Sequence, residues 1–163
     1  MPYDYVKAFK KGHFYNKMVA SFLNDNGINC YAPELKIAQN SQEIREMTQT
    51  EKDIVLTGIH DGVLEVKTSS REFGWDPADF PYSETIVDTV SSYEEKIIKP
   101  LAYVLVSQKT EAMVALPPST KSRWKVRRLY DNKQELWDDF YVIQKQDIAE
   151  IGKLINYLLL HQE

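Results

Sequence analysis

Apolar positions along the chain recur with two different periods, and the change of period divides it into elements. Phe14, Met18 and Phe22, with Val19 and Leu23 beside them, fall at helical spacing, while Lys7, Lys10, Lys11 and Lys17 occupy the positions between. Asp4 as N-cap and Asn26-Gly27 as a stop bound one helix, or two short ones broken near Gly12. Ile28–Ala32 reads as a short strand ended by Pro33, and the polar stretch Gln39–Thr50 as a loop with at most a helical turn. The runs Asp53–Thr57 and Val63–Thr68 alternate with period two and are joined by a glycine-flanked tip, which signals a hairpin. Residues 69–83, with Gly74, Pro77 and Pro81, form a long irregular connection, and Ser83–Lys99 is expected to hold a helix ending before Pro100. Two further strands follow, around Tyr103–Val106 and Ala112–Leu116, stopped by Pro117-Pro118. In the last third, a basic aromatic segment precedes a Trp/Tyr-rich stretch, Leu136–Val142, and a closing helix. Asp147 and Glu150 form a capping box for that helix, and Ile148, Ile151, Leu154, Ile155, Leu158 and Leu159 supply its apolar face. These elements predict an α/β fold, a mixed central sheet of about five strands flanked by the N-terminal and C-terminal helices, with residues 1–163 as one domain.

Composition narrows the class. With 163 residues, 43% of them hydrophobic and 27% charged, the chain can build its own core. The net charge of −4 gives no bulk attraction to nucleic acid or anionic lipid, so any polyanion site must be local. Cys30 is the single cysteine, which excludes an intramolecular disulfide and a cysteine-rich zinc cluster and points to a reducing compartment. No apolar run is long enough to cross a bilayer and MPYDYVKAFKK has no apolar signal core, so a soluble, cytoplasmic protein with no membrane partner is expected. His13, His60 and His161 show no metal-ligand spacing and receive no role. Trp75, Trp124 and Trp137 are by default packing residues.

The hairpin carries the chemistry. Pairing Gly58 with Gly62 sets Asp53 opposite Lys67, Val55 opposite Glu65, Ile54 opposite Val66 and Leu56 opposite Leu64. The four apolar residues then share one face, and Asp53, Glu65 and Lys67 share the other. Asp53 lies diagonal to Glu65, with Cβ atoms roughly 7–8 Å apart. Two carboxylates at that separation can hold a hard divalent cation that keeps several waters, such as magnesium, with manganese as a substitute. Lys67, on the same face, can orient a water, assist its deprotonation if its own pKa is lowered, or neutralise charge on a phosphate.

Asp53, eleven intervening residues and then Glu65-Val66-Lys67 on the following strand, behind an N-terminal helix, resembles the PD-(D/E)XK nuclease superfamily. The resemblance covers about residues 5–70 and implies a restriction-endonuclease-like core. It also implies Asp53 and Glu65 as magnesium ligands, the Val66 carbonyl as a further ligand, and Lys67 assisting attack by water. The products implied carry 5′-phosphate ends. Lys11-Gly12-His13-Phe14-Tyr15-Asn16-Lys17 is similar to the first helix of Holliday-junction-resolvase-like members, in which a glutamate commonly stands four residues after the glycine. This chain has Asn16 there, and Lys52 replaces the proline of the family name. Asn16 could still offer an amide oxygen, and Glu51 or Glu34 could substitute. No Gln-x-x-x-Tyr pair of the recombinase-type exonucleases follows the lysine.

Binding residues are sought in Lys121–Lys133, which holds six Lys/Arg and one Asp, with Lys121, Arg123, Lys125, Arg127 and Arg128 as phosphate contacts and Trp124 or Tyr130 as a base-stacking platform. The plainer alternative is an exposed strand whose cations balance acidic neighbours. Ser69 and Ser70 could hydrogen-bond a phosphate, or simply end the strand. The expectation is a magnesium-dependent DNA endonuclease of phage, homing, restriction or junction-resolving type, working as a homodimer and without a nucleotide cofactor. The alternative is a non-catalytic nucleic-acid-binding or protein-interaction domain on the same fold.

Overall fold

A computed structural model describes residues 4–163. Asp4 accepts from the Lys7 amide and starts α1 (Tyr5–Asp25), which ends at Asn26 and at Gly27 with φ of 85°. Then come β1 (Cys30–Tyr31), α2 (Ser41–Thr50), β2 (Ile54–Leu56), β3 (Val63–Ser69), β4 (Glu84–Thr89), α3 (Val90–Glu95), β5 (Ala102–Ser107), β6 (Met113–Leu116), β7 (Lys125–Asp131), β8 (Leu136–Gln144), β9 (Ala149–Glu150) and α4 (Ile151–His161). A mixed six-stranded sheet runs β1-β2-β3-β5-β6-β9, with β3 and β5 parallel and the other pairs antiparallel. A second, three-stranded antiparallel sheet runs β4-β8-β7.

The α/β class with a mixed sheet agrees with the sequence reading; the central sheet has six strands rather than about five, and a second sheet joins it. Val19 and Leu23 of α1 and Leu154 and Leu158 of α4 pack together on one face, against Ile54, Leu64, Val104 and Ala115. The opposite face, built from Tyr103, Leu105, Val114 and Leu116, is closed by Val87 and Ile143 of the second sheet and by Phe73, Phe80, Tyr93 and Trp124. The result is three layers, helix on sheet on sheet. Strand β5 is buried at every residue, as a central parallel strand covered on both faces must be.

Three local expectations are corrected. The stretch 39–50 is not a loop: Asn40 accepts from the Glu43 amide while Glu43 reaches back to the Gln39 amide, a reciprocal cap that starts α2. The cap foreseen at Asp147–Glu150 is not formed: Ala149 and Glu150 pair with β6 as β9, so α4 starts only at Ile151, and Asp147 meets Arg123 instead. Ser83–Lys99 holds a strand as well as a helix, with Thr89 ending β4 and capping α3 through the Ser92 amide. Among the described residues, no helix is long and apolar enough to cross a membrane.

Candidate active site

The two strands of the hairpin pair Ile54 with Leu64 and Val55 with Val63, two residues tighter than the glycine-to-glycine register. The turn itself sets this. The Leu56 amide donates to the Gly62 carbonyl, Asp61 takes a positive φ of 52°, and a Cβ on Gly62 would meet the Cβ atoms of Leu56 and Ile59 at 2.9 Å. A shift of two leaves every side chain on its expected face. Extended by one residue, the register sets Asp53 directly opposite Glu65 rather than diagonal to it.

At that point the ladder gives way to side chains. Asp53 stands one residue before β2, and its Oδ2 accepts from the Val66 amide at 2.9 Å, in place of a backbone carbonyl. Asn16, from α1, donates to Asp53 Oδ1 at 3.3 Å. Burial, and then the neighbouring Glu65 carboxylate, push the Asp53 carboxyl up to about 6, against the pull of Val66 N–H, Lys67 and Asn16. Asp53, Glu65 and Asn16 line one cleft of about 270 Å³ with Glu34, Glu51, Lys52, Ser92 and Lys96. Burial raises the Glu51 carboxyl there, with Lys36 opposing.

Glu65 and Lys67 project from the same side of β3, and their charged groups meet at 3.2 Å. Two residues that the sequence reading did not single out complete the cluster. Asp88 accepts from Lys67 at 3.3 Å, from Lys96 at 3.1 Å, from the Tyr103 hydroxyl at 2.8 Å and from the Thr89 amide at 2.9 Å. Lys96 also reaches Glu65 at 3.2 Å. Lys67, Glu65, Lys96 and Asp88 therefore form a closed ring of alternating charge. Although burial favours the neutral amine, the Glu65, Asp88 and Asp53 carboxylates hold Lys67 above the ordinary lysine range. Burial would raise Asp88, but Lys67, Lys96 and the Tyr103 hydroxyl together keep it below the ordinary carboxylate range.

Asp88 reaches this position through a β-bulge. Ile86 pairs with Val142 and Asp88 with the adjacent Tyr141, so the strand gains a residue and both Val87 and Asp88 are buried. Strict alternation would have sent one of them to solvent. The signal available in the sequence was the β-branched run Thr85-Ile86-Val87 ahead of a Thr89 N-cap, with Lys96 seven residues after the cap.

The donor set suits a hard cation. Asp53 and Glu65 supply oxygen ligands in one cleft, and a magnesium ion that keeps its waters needs no more than one or two carboxylates. Among the described residues there is no group of three or more His, Cys, Asp or Glu side chains arranged around a common point. From Val66 it is the amide that holds Asp53.

The basic segment is placed differently from the expected binding strip. Arg123 is held by Asp147 at 2.9 Å, Arg127 by Glu84 at 2.9 Å, Arg128 by Asp139 at 3.1 Å, and Lys121 by Glu94 at 3.4 Å. These cations balance acidic neighbours, and Lys125 stands exposed on the same strand. Trp124 is buried against Tyr93 and Tyr141, with its indole N–H on Thr120 Oγ1, and so has no free face for a base. Tyr130 is exposed and meets Trp137 edge-on. Ser69 Oγ accepts from the Arg71 amide, and Ser70 is exposed beside it. A second cleft of about 560 Å³, between the two sheets, brings Lys67, Ser69 and Arg127 together with Arg71 and Thr89. Cys30 is half-buried, and burial raises its thiol to about 11. No family model matches the chain, and no curated protein matches it in sequence.

Proposed function

We propose that the protein is a divalent-metal-dependent endonuclease hydrolysing DNA phosphodiester bonds, on a restriction-endonuclease-like arrangement of β2, β3 and α1. The observation that carries the reading is the convergence of Asp53, Glu65 and Lys67, with the two carboxylates lining one cleft and the ammonium against Glu65. Asp53 and Glu65 would hold magnesium or manganese. When bound, such an ion supplies polarisation of a phosphoryl oxygen and a more acidic water. Val66 N–H and Asn16 orient the Asp53 carboxylate from two sides. Lys67, kept protonated by three carboxylates, acts as a cation and not as a base: it positions water and offsets charge building on the phosphate. Its two acceptors, Glu65 and Asp88, leave one of its three N–H groups for that task. The second cleft, reached past Lys67 and carrying Arg71 and Ser69, suits the flanking backbone of the same strand. Cutting both strands of a duplex would call for a symmetric pair of chains.

The test is cleavage of supercoiled plasmid, a four-way junction and single strands by the purified chain, with and without magnesium. Cleavage that requires the metal and vanishes in Glu65→Ala and Lys67→Ala, both folded, is expected. Undiminished cleavage by either variant refutes the assigned roles. Asn16 in place of a third carboxylate favours a second reading, DNA binding without turnover. Salt-dependent retention of DNA with no cleavage under any divalent cation selects it.

A further inference from the structure

Glu65 already carries a cation on each oxygen before any divalent ion reaches it: Lys67 meets Oε1 at 3.2 Å and Lys96 meets Oε2 at 3.2 Å. The two lysines are not equivalent. Among the described residues, Lys67 has Glu65 and Asp88 as its ion-pair partners. Lys96 has Asp88 Oδ2 at 3.1 Å, Ser92 Oγ at 2.8 Å and the Ser92 carbonyl at 3.2 Å besides Glu65, four acceptors for three N–H groups. If Glu65 is removed from each list, Lys67 keeps one acceptor and Lys96 keeps three. Lys96, the more buried of the two, is therefore the cation that can give up Glu65 and still have an acceptor for each N–H group.

Its setting is built for that exchange. The Lys96 side chain is only 9% exposed and lines the same cleft as Asp53 and Glu65. Its backbone sits at the C-cap of α3, where Lys99 Nζ donates to the carbonyls of Tyr93, Glu94 and Lys96 at 2.6, 2.8 and 2.9 Å. With the backbone held there, the Lys96 ammonium lies between Glu65 on one side and Ser92 with Asp88 on the other.

We propose that Lys96 is a resident cation on Glu65, which it yields to an incoming divalent ion by withdrawing onto Ser92 and Asp88. The inference rests on the metal-site reading given above and adds to it a residue that sets metal affinity. The ring supplies a stable arrangement without the ion, so the carboxylate is never left buried and unpaired. The divalent ion must compete with that arrangement, which weakens its binding.

The experiment is calorimetric titration of the full chain with manganese, alone and without DNA, on wild type, Lys96→Met and Ser92→Ala, each checked for folding by its melting transition. Lys96→Met is expected to bind manganese about tenfold tighter. Ser92→Ala leaves the charges unchanged but removes the hydroxyl onto which Lys96 withdraws, so it is expected to bind about threefold more weakly. A purely structural Lys96 predicts no gain in affinity for Lys96→Met, and a purely long-range charge effect predicts no change for Ser92→Ala. Either result overturns the inference and leaves the metal-site reading standing. Should Lys96→Met fail to fold, Ser92→Ala alone decides, since it retains every charge of the ring. No manganese binding by any of the three overturns both the inference and the reading beneath it.

Discussion

Replacing Asp88 by asparagine tests the charge ring most sharply, because all four acceptor positions of that carboxylate are filled. Oδ1 faces Lys67 and the Thr89 amide, Oδ2 faces Lys96 and the Tyr103 hydroxyl, and the residue is 3% exposed. Whichever way the amide turns, its NH2 group points at an ammonium. Breaking a buried ion pair by removing one partner costs about 3–5 kcal/mol. Lys67 and Lys96 both keep Glu65, which puts the expected loss near the lower end, about 3 kcal/mol. For a chain of this size that corresponds to a melting temperature lower by about 6–12 °C. The assay is thermal and urea unfolding of both proteins across pH. Asp88 titrates below the ordinary carboxylate range, so its contribution is complete above the unfolded-state value near 4 and is lost as pH falls through the lower native value. The gap between the two proteins should be full at pH 7 and close as the medium is acidified. An asparagine variant as stable as wild type at pH 7, or a gap undiminished in acid, would refute the ring as a stabilising unit.

Asp53→Asn should act with the opposite sign. Its folded pKa, raised to about 6, lies above the unfolded value, so ionisation costs stability as pH rises from about 4 to 6. The variant is expected to be more stable than wild type by on the order of 1–2 kcal/mol at pH 7, with no advantage below pH 4, as read by urea unfolding. Trp124→Ala removes a side chain packed on Tyr93 and Tyr141 and should cost about 3–5 kcal/mol. Trp137→Ala, at a site 60% exposed, should change stability by less than about 1 kcal/mol, and equal costs for the two in thermal melts would contradict the burial pattern.

How much of this was legible in the sequence depended on whether a residue's neighbours obeyed a simple period. Glu65 and Lys67 lie on β3 and Asp53 at the threshold of β2, in stretches whose apolar and polar residues alternate, so their common face followed from period two even though the register was two residues off. The turn geometry that fixes the register packs Gly62 against Leu56 and Ile59; the glycine marks the turn in the sequence, but not which of its neighbours it pairs with. Asp88 escaped because the bulge between Ile86 and Asp88 buries consecutive residues. Lys96 escaped because its significance comes from Glu65, 31 positions earlier in the chain. Both Asn40-x-x-Glu43 and Asp147-x-x-Glu150 carry capping-box spacing, and only the first caps a helix, since Ala149 and Glu150 are drawn into strand pairing with β6. The run of cations at Lys121–Arg128 suggested a phosphate strip, but Glu84, Glu94 and Asp147 come from other segments to pair with three of them, and Asp139 faces Arg128 across the β7–β8 hairpin.

The claim beneath all of this is that Asp53 and Glu65 share one divalent ion beside Lys67. Crystals of the chain soaked in manganese test it by anomalous scattering. The account predicts a single strong peak bridging the Asp53 and Glu65 carboxylates, missing in Glu65→Ala crystals. A peak seated elsewhere, or none at millimolar manganese, would contradict it.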